Sequence, residues 1–240
     1  MKIQHAHWER RNLGLNVYEI VFEHGDTDQF DVDSILPQDA EYICVKVPTA
    51  AVPVMKRLHQ FGFQFIETQS QMSISHLPPY TSLQSRILKS VVTRASTKDD
   101  VAEIYSRIEG GLFTADRVSL DDEFTSEQAA SRYKGWIDDT VSSDGSLQSI
   151  IFKSELVGFF LIQDLGNGLY ASLLAGVFSD VAPLGIGSLI NHLGYQHCFD
   201  LGAKEVLTAF SSNNWNAAAI HASLPLKLVK QYHVYIKHMR

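Results

Sequence analysis

Two hydrophobic rhythms alternate along the chain. The runs "YICVKV" (42–47), "FQFIET" (63–68), "SVVTRAS" (90–96), "SLQSIIFK" (146–153), "LVGFFLIQDL" (156–165), "LYASLLAGVFS" (169–179) and "KEVLTAFSS" (204–212) are short and rich in β-branched or aromatic residues. Turn residues bound them, so they predict strands. Between them apolar residues recur at spacings of three and four. This predicts helices over "AVPVMKRLHQFG" (51–62, closed by Gly62), "TKDDVAEIYSRIEGG" (97–111, capped by Thr97), from Ser126 to Trp136 or Ile137, and over "NWNAAAIHASL" (214–224). Ile186, Leu189, Ile190 and Leu193 form one apolar helix face, and "LKLVKQYHVYIKH" (226–238) reads as a closing strand or hairpin.

The seam is "SHLPPYTSLQS" (75–85), where Pro78 and Pro79 exclude a helix. Beyond it the order is β, α, α, β, β, β, α, β, α, β, with the three central strands in an antiparallel meander joined by "SE" and "GNG". The expected class is α/β (α+β), with a small N-terminal α/β unit over 1–80 and a larger unit over 86–240.

Composition narrows the function. With 240 residues and 45% hydrophobic content the chain can bury a real core, and a formal charge of −7 argues against a nucleic-acid binder. No run approaches ~18 apolar residues, so neither a membrane span nor a signal peptide is expected, and the cytoplasm is the expected location. Cys44 and Cys198 are far apart and lack CxxC spacing, which suggests reduced, buried thiols. The "HAH" of His5 to His7 and the pair His192 and His197 are too weak as patterns to predict a metal.

The stretch "GVFSDVAPLGIGSLINHL" (176–193) carries the most chemistry. Gly185 and Gly187 open a helix, where unpaired N–H groups and the helix dipole favour an anion such as a pyrophosphate. The same pair also suits plain turn punctuation. A dinucleotide fingerprint fails, because its third glycine would fall at Ile190, and no Walker lysine follows.

The pattern resembles the GNAT superfamily of acyl-CoA-dependent N-acetyltransferases. Val177, Gly185 and Gly187 fall on fixed positions of its V-x-P-x-x-[QR]-x-x-G-x-G motif, while Ser179 and Ala182 depart from it. Asn214 and Ala217 match its N-x-x-A-x-x-x-Y-x-x-x-G-F motif; His221 stands at the tyrosine and Pro225-Leu226 at the Gly-Phe. Within the superfamily the chain is most similar to the dTDP-fucosamine acetyltransferase group. Trp8, Gly14 and Val17 match its opening motif, and Arg117, Asp121, Tyr133 and Trp136 match a later pair of motifs.

The resemblance implies a GNAT-like mixed sheet flanked by helices and the transfer of acetyl from acetyl-CoA to a primary amine. It places acetyl-CoA on Val177, Phe178, Leu184, Gly185, Ile186, Gly187, Ser188 and Asn214. Backbone N–H groups near Gly176, Val177 and Phe178 would polarise the thioester, Gly176 marking a bulge, or else relieving a crowded strand. His221 would protonate the departing thiolate, or line a groove without a catalytic duty. Arg117 and Asp121 would contact a nucleotide-linked amino sugar or staple a loop, and Asn214 would bond the pantetheine arm or cap its helix. The expected partner is a small-molecule amine; a homodimer stays open.

Overall fold

The strand over Gln64–Ile74 joins the two halves of the chain. In the computed structural model, which describes residues 1–26, 36–183 and 185–239, it is the fourth strand, β4. It pairs antiparallel on one side with β9 (Glu205–Ser211) and on the other with β10 (Lys227–His238). Two strands from the C-terminal half therefore enclose one from the N-terminal half.

Ahead of β4 come β1 (Lys2–His5), α1 (His7–Leu13), β2 (Val17–Val21), β3 (Tyr42–Pro48) and α2 (Val52–Gln60). After it follow α3 (Ser82–Leu88), β5 (Val91–Ala95), α4 (Lys98–Glu109), α5 (Ser126–Ser142), β6 (Ser146–Phe152), β7 (Glu155–Gly166) and β8 (Leu169–Val177). Then α6 (Gly187–Asp200), β9, α7 (Trp215–Ala222) and β10 complete the chain. Among the described residues the strands form one sheet in the order β1-β2-β3-β10-β4-β9-β8-β7-β6-β5. Among the described residues only β2/β3 and β8/β9 are parallel pairs. The segments expected as units 1–80 and 86–240 thus share a continuous sheet.

Helices cover both faces. On one, Ile186, just before α6, and Leu189 and Ile190 within it pack with Phe160, Ile162 and Val206 of the sheet. On the other, Ile104 and Ile108 of α4 and Tyr133 and Ile137 of α5 pack on Leu147, Phe159 and Leu161. The strand-like runs and the meander appear where the pattern predicts them. Lys153 and Ser154 take positive φ in the first hairpin turn, and Gly166, Asn167 and Gly168 do so in the second.

Several elements differ from expectation. The proline-led seam holds α3, which starts just beyond the prolines with a capping box formed by Thr81 and Gln84. Thr125, one residue before Ser126, caps α5, which continues five residues past Ile137 to Ser142. The segment expected over 226–238 gives one strand, from Lys227, rather than a hairpin, because β3 and β4 take up its two edges. Cys44 and Cys198 are buried and unpaired, and burial pushes the Cys198 thiol up to about 12.

Candidate functional site

β8 and β9 start as a parallel pair and then part. Their pairing runs from Leu169↔Glu205 to Ser172↔Thr208, yet β8 continues to Val177 and β9 to Ser211. The divergence coincides with a bulge. On the β7 side, Ile162 pairs with Ser172 and Leu161 with Leu174, which leaves Leu173 as an extra residue. The bulge turns the strand's faces over: Tyr170 packs with the α6 cluster before it, and Ala175 and Val177 do so after it.

This opening directs a backbone donor outward. The N–H of Phe178 donates to the Val157 carbonyl at 2.9 Å. Because donors alternate along a strand edge, the N–H of Val177 faces the side that β9 has left. Of the three donors expected near here, only that of Val177 points to the opening. Gly176 does not mark the bulge; its role is steric, since a Cβ there would lie 2.7 Å from the Phe159 ring and 2.8 Å from Leu112. Phe178 is buried, and its carbonyl accepts from Ala182 N–H at 2.8 Å.

The loop before α6 starts from the mouth of the opening. Gly185 has φ +95°, a conformation glycine adopts without strain. A Cβ on it would lie 3.0 Å from Ile87 of α3, whereas a Cβ on Gly187 would meet nothing within 4 Å among the described residues. The helix start is therefore covered on the Gly185 side and open on the Gly187 side. Ser188 Oγ donates back to the Gly185 carbonyl at 2.8 Å, and Ile186 is buried in the core. Leu184 lies outside the described residues. Ala182 packs its side chain against the α6 cluster. Asp180 is paired with Arg107 at 2.6 Å, and that guanidinium sits 5.0 Å above the Phe178 ring. The pair offsets the one acidic side chain in the loop 179–183.

Where β8 and β9 begin to part, three side chains meet. His221 of α7 is buried, with Nδ1 2.7 Å from the Ala217 carbonyl and Nε2 3.3 Å from both Tyr195 Oη and Thr208 Oγ1. A carbonyl only accepts, so this pattern assigns the hydrogen to Nδ1 and leaves Nε2 to accept from the hydroxyls. Burial lowers the His221 pKa, although the bond to Ala217 opposes this. The ring is neutral at pH 7. Asn214 caps α7, its side chain accepting from Ala217 N–H at 2.9 Å.

Arg117 and Asp121 lie apart from this opening. Arg117 Nη2 binds Glu9 at 2.7 Å, and Asp121 binds His238 Nε2 at 2.9 Å. Each is buried and ties distant segments together. Sequence reasoning missed Tyr195 and Thr208, whose spacing from His221 carries no motif. It also missed Glu67. This carboxylate lies on β4, two residues before Gln69, which pairs with the last residue of β9, and it is only 4% exposed. Among the described residues it has no hydrogen-bond or ion-pair partner. Burial and then Asp116 raise the pKa of Tyr133, with a lesser contribution from the charge of Glu67, and Tyr133 packs in the same cluster as Leu173 and Leu174 of β8.

No family model and no curated protein matches the sequence. Solved structures do match. A GCN5-related N-acetyltransferase from Sphaerobacter thermophilus aligns with a TM-score of 0.58 at 15% identity, over 83% of this chain and 60% of that one. The chain thus spans about three fifths of that protein. A GCN5-related N-acetyltransferase from Kribbella flavida gives 0.57 at 12% identity, over 92% and 81%. A functionally unknown conserved protein from Staphylococcus epidermidis gives 0.66 at 11% identity, over 97% and 89%. At these identities the likeness is one of architecture. The chain has the mixed-sheet fold of the GCN5-related N-acetyltransferases.

Proposed function

We propose that the chain transfers an acetyl group from acetyl-CoA to a primary amine. The observation that carries this reading is the opening between β8 and β9, which has the Val177 N–H on its wall and the helix start at Gly187 uncovered at its mouth. A pantetheine arm fits a gap whose edge groups have lost their strand partner. The uncovered N-terminal turn of α6 suits a pyrophosphate. Ile186, Ser188 and Asn214 then act by fixing that turn and α7. In the same reading Phe178 anchors the strand end, and Leu184 belongs to the phosphate loop by sequence alone.

The steps follow from charge. The acceptor arrives as an ammonium, and Glu67 takes its first proton to give the free amine. Nitrogen forms a C–N bond at the thioester carbonyl carbon, and the Val177 N–H stabilises the oxygen that gains charge. The C–S bond then breaks, the departing sulfur takes a proton from a nearby hydroxyl, and the second proton of nitrogen passes through water to replace it. Around neutral His221 the available hydrogens belong to Tyr195 and Thr208, so His221 positions these hydroxyls as the local proton source.

The acceptor class rests on the resemblance of Trp8, Gly14, Val17, Tyr133 and Trp136 to the nucleotide-sugar group, which favours an amino sugar. Arg117 and Asp121 would serve it indirectly, by fixing the segments they join. A thiol-release assay with amino sugars, amino acids and polyamines tests this. Release that depends on an amine supports the reading, whereas CoA binding without release from any amine favours a CoA-binding protein that performs no transfer.

A further inference from the structure

In the middle of the sheet one face is open. Along β9, Val206 packs in the α6 cluster and Thr208 meets His221 of α7, so both point to the α6 and α7 side. Side chains alternate along a strand, which turns Leu207, Ala209 and Ser211 the other way. All three are exposed or half-buried. Ala209 pairs with Gln71 and Ser211 with Gln69 of β4, and these two pair in turn with Lys230 and Tyr232 of β10. Paired residues share a face, and these four side chains are likewise exposed or half-buried. To one side, α4 and α5 cover Leu147, Phe159 and Leu173 of β6, β7 and β8; to the other, Leu13 of α1 and Ala129 of α5 cover Val17, Tyr42 and Ile236. A trough along β9, β4 and β10 separates the two covered areas.

Two features set this trough apart from a merely solvated sheet face. Ala209 and Ser211 follow Thr208, the last residue of β9 that pairs with β8, so the trough borders the opening between those strands. Its polar groups are also unengaged. Among the described residues the side-chain amides of Gln69 and Gln71 make no hydrogen bond. Glu67, two residues before Gln69 and on the same face, is 4% exposed and unpaired, yet its oxygens are not sealed from solvent. A carboxylate so nearly buried without a donor is costly, and a cation from outside would offset that cost.

Charge narrows the occupant. Glu19 is already bound to Lys46 at 2.9 Å, and Glu23 lies 3.5 Å from Lys230. Glu205, on the same face, stands six residues before Ser211 on β9, about 20 Å up the strand. One ammonium therefore finds a carboxylate at Glu67, and a second finds none close by. The remaining lining is two amides and the Tyr232 hydroxyl, which accepts from Lys230 and keeps its own hydrogen to donate. We propose that Gln69, Gln71 and Tyr232 form the acceptor subsite, which takes an amine with one positive charge, directed to Glu67, on an uncharged body that carries hydrogen-bonding groups. This rests on the acetyl-transfer reading, and its test needs no turnover.

Calorimetry and saturation-transfer NMR on the full chain, with and without CoA, compare three amines of one shape: trans-4-aminocyclohexanol, cyclohexylamine and trans-1,4-diaminocyclohexane. At about 0.15 M salt, where distant charges are screened, the aminocyclohexanol should bind at least fivefold more tightly than either of the others. Tyr232→Phe and Gln69→Leu should keep the thermal transition and the affinity for CoA, and each should reduce that preference at least twofold. Equal affinity for the three amines, a preference unchanged in both variants, or no binding of any amine overturns the proposal. The expected amine pattern without thiol release from acetyl-CoA supports the subsite and counts against the transfer instead.

Discussion

His221 Nδ1 donates to the carbonyl of Ala217, 2.7 Å away and one turn earlier in α7. That bond determines which ring nitrogen faces Tyr195 and Thr208, and turns a residue read as an acid into an acceptor. His221→Ala should remove the acceptor for two buried hydroxyls and open a cavity. A loss of about 1–3 kcal/mol is expected in denaturant unfolding. His221→Gln, which can still accept a hydrogen bond, should recover part of it, and catalysis should fall less than in Tyr195→Phe.

The same burial predicts a pH dependence of stability. His192, His197 and His221 all have pKa values lowered by burial, so the unfolded chain binds more protons than the folded one in mild acid. Their contribution is fully present above about pH 6.5, the unfolded value, and is lost as pH falls through the lower folded values. Calorimetric melting between pH 8 and pH 5 should show the midpoint falling below about pH 6.5, with a shallower slope in His221→Gln. A flat profile would contradict neutral burial.

Arg107 offers a test of the loop. It pairs with Asp180 and with Glu103 at the surface, so its loss should cost the fold no more than about 1 kcal/mol. Freed of its partner, Asp180 would present a negative charge on the loop that leads into the α6 helix start. Arg107→Ala should therefore raise the CoA dissociation constant several-fold at low salt, and less at high salt. Equal affinity in the variant and the wild type would remove the anion from this loop.

Glu67→Gln probes the proton acceptor. A neutral isostere should keep the fold and the affinity for CoA, and lower kcat by about 10²–10⁴-fold, in line with loss of a general base. Unchanged kcat would assign Glu67 a purely structural place.

Much of this fold was legible because the C-terminal half keeps its rhythms clean. The meander, the apolar face of α6 at Ile186, Leu189 and Ile190, and the caps at Thr97 and Asn214 all follow from local rules. The pairing of β4 with β9 and β10 was not legible, because strand partners far apart in sequence leave no local signal. For the same reason Glu67 looked like any acid in a strand. The proline pair hid α3, although its capping box spells out a helix start immediately afterwards. The two motif glycines proved unequal: Gly185 is required by its φ and by Ile87, and only Gly187 faces open space among the described residues.

That inequality gives the most direct test. Titration calorimetry of CoA into wild type and Gly187→Ala, each shown by melting to be folded, separates an anion cradle from a bare turn. The account predicts one CoA per chain for the wild type, and at least tenfold weaker binding in Gly187→Ala, whose added methyl has room within the fold but would crowd the phosphates. Absence of binding heat for the folded wild type, or equal affinity in both proteins, would contradict it.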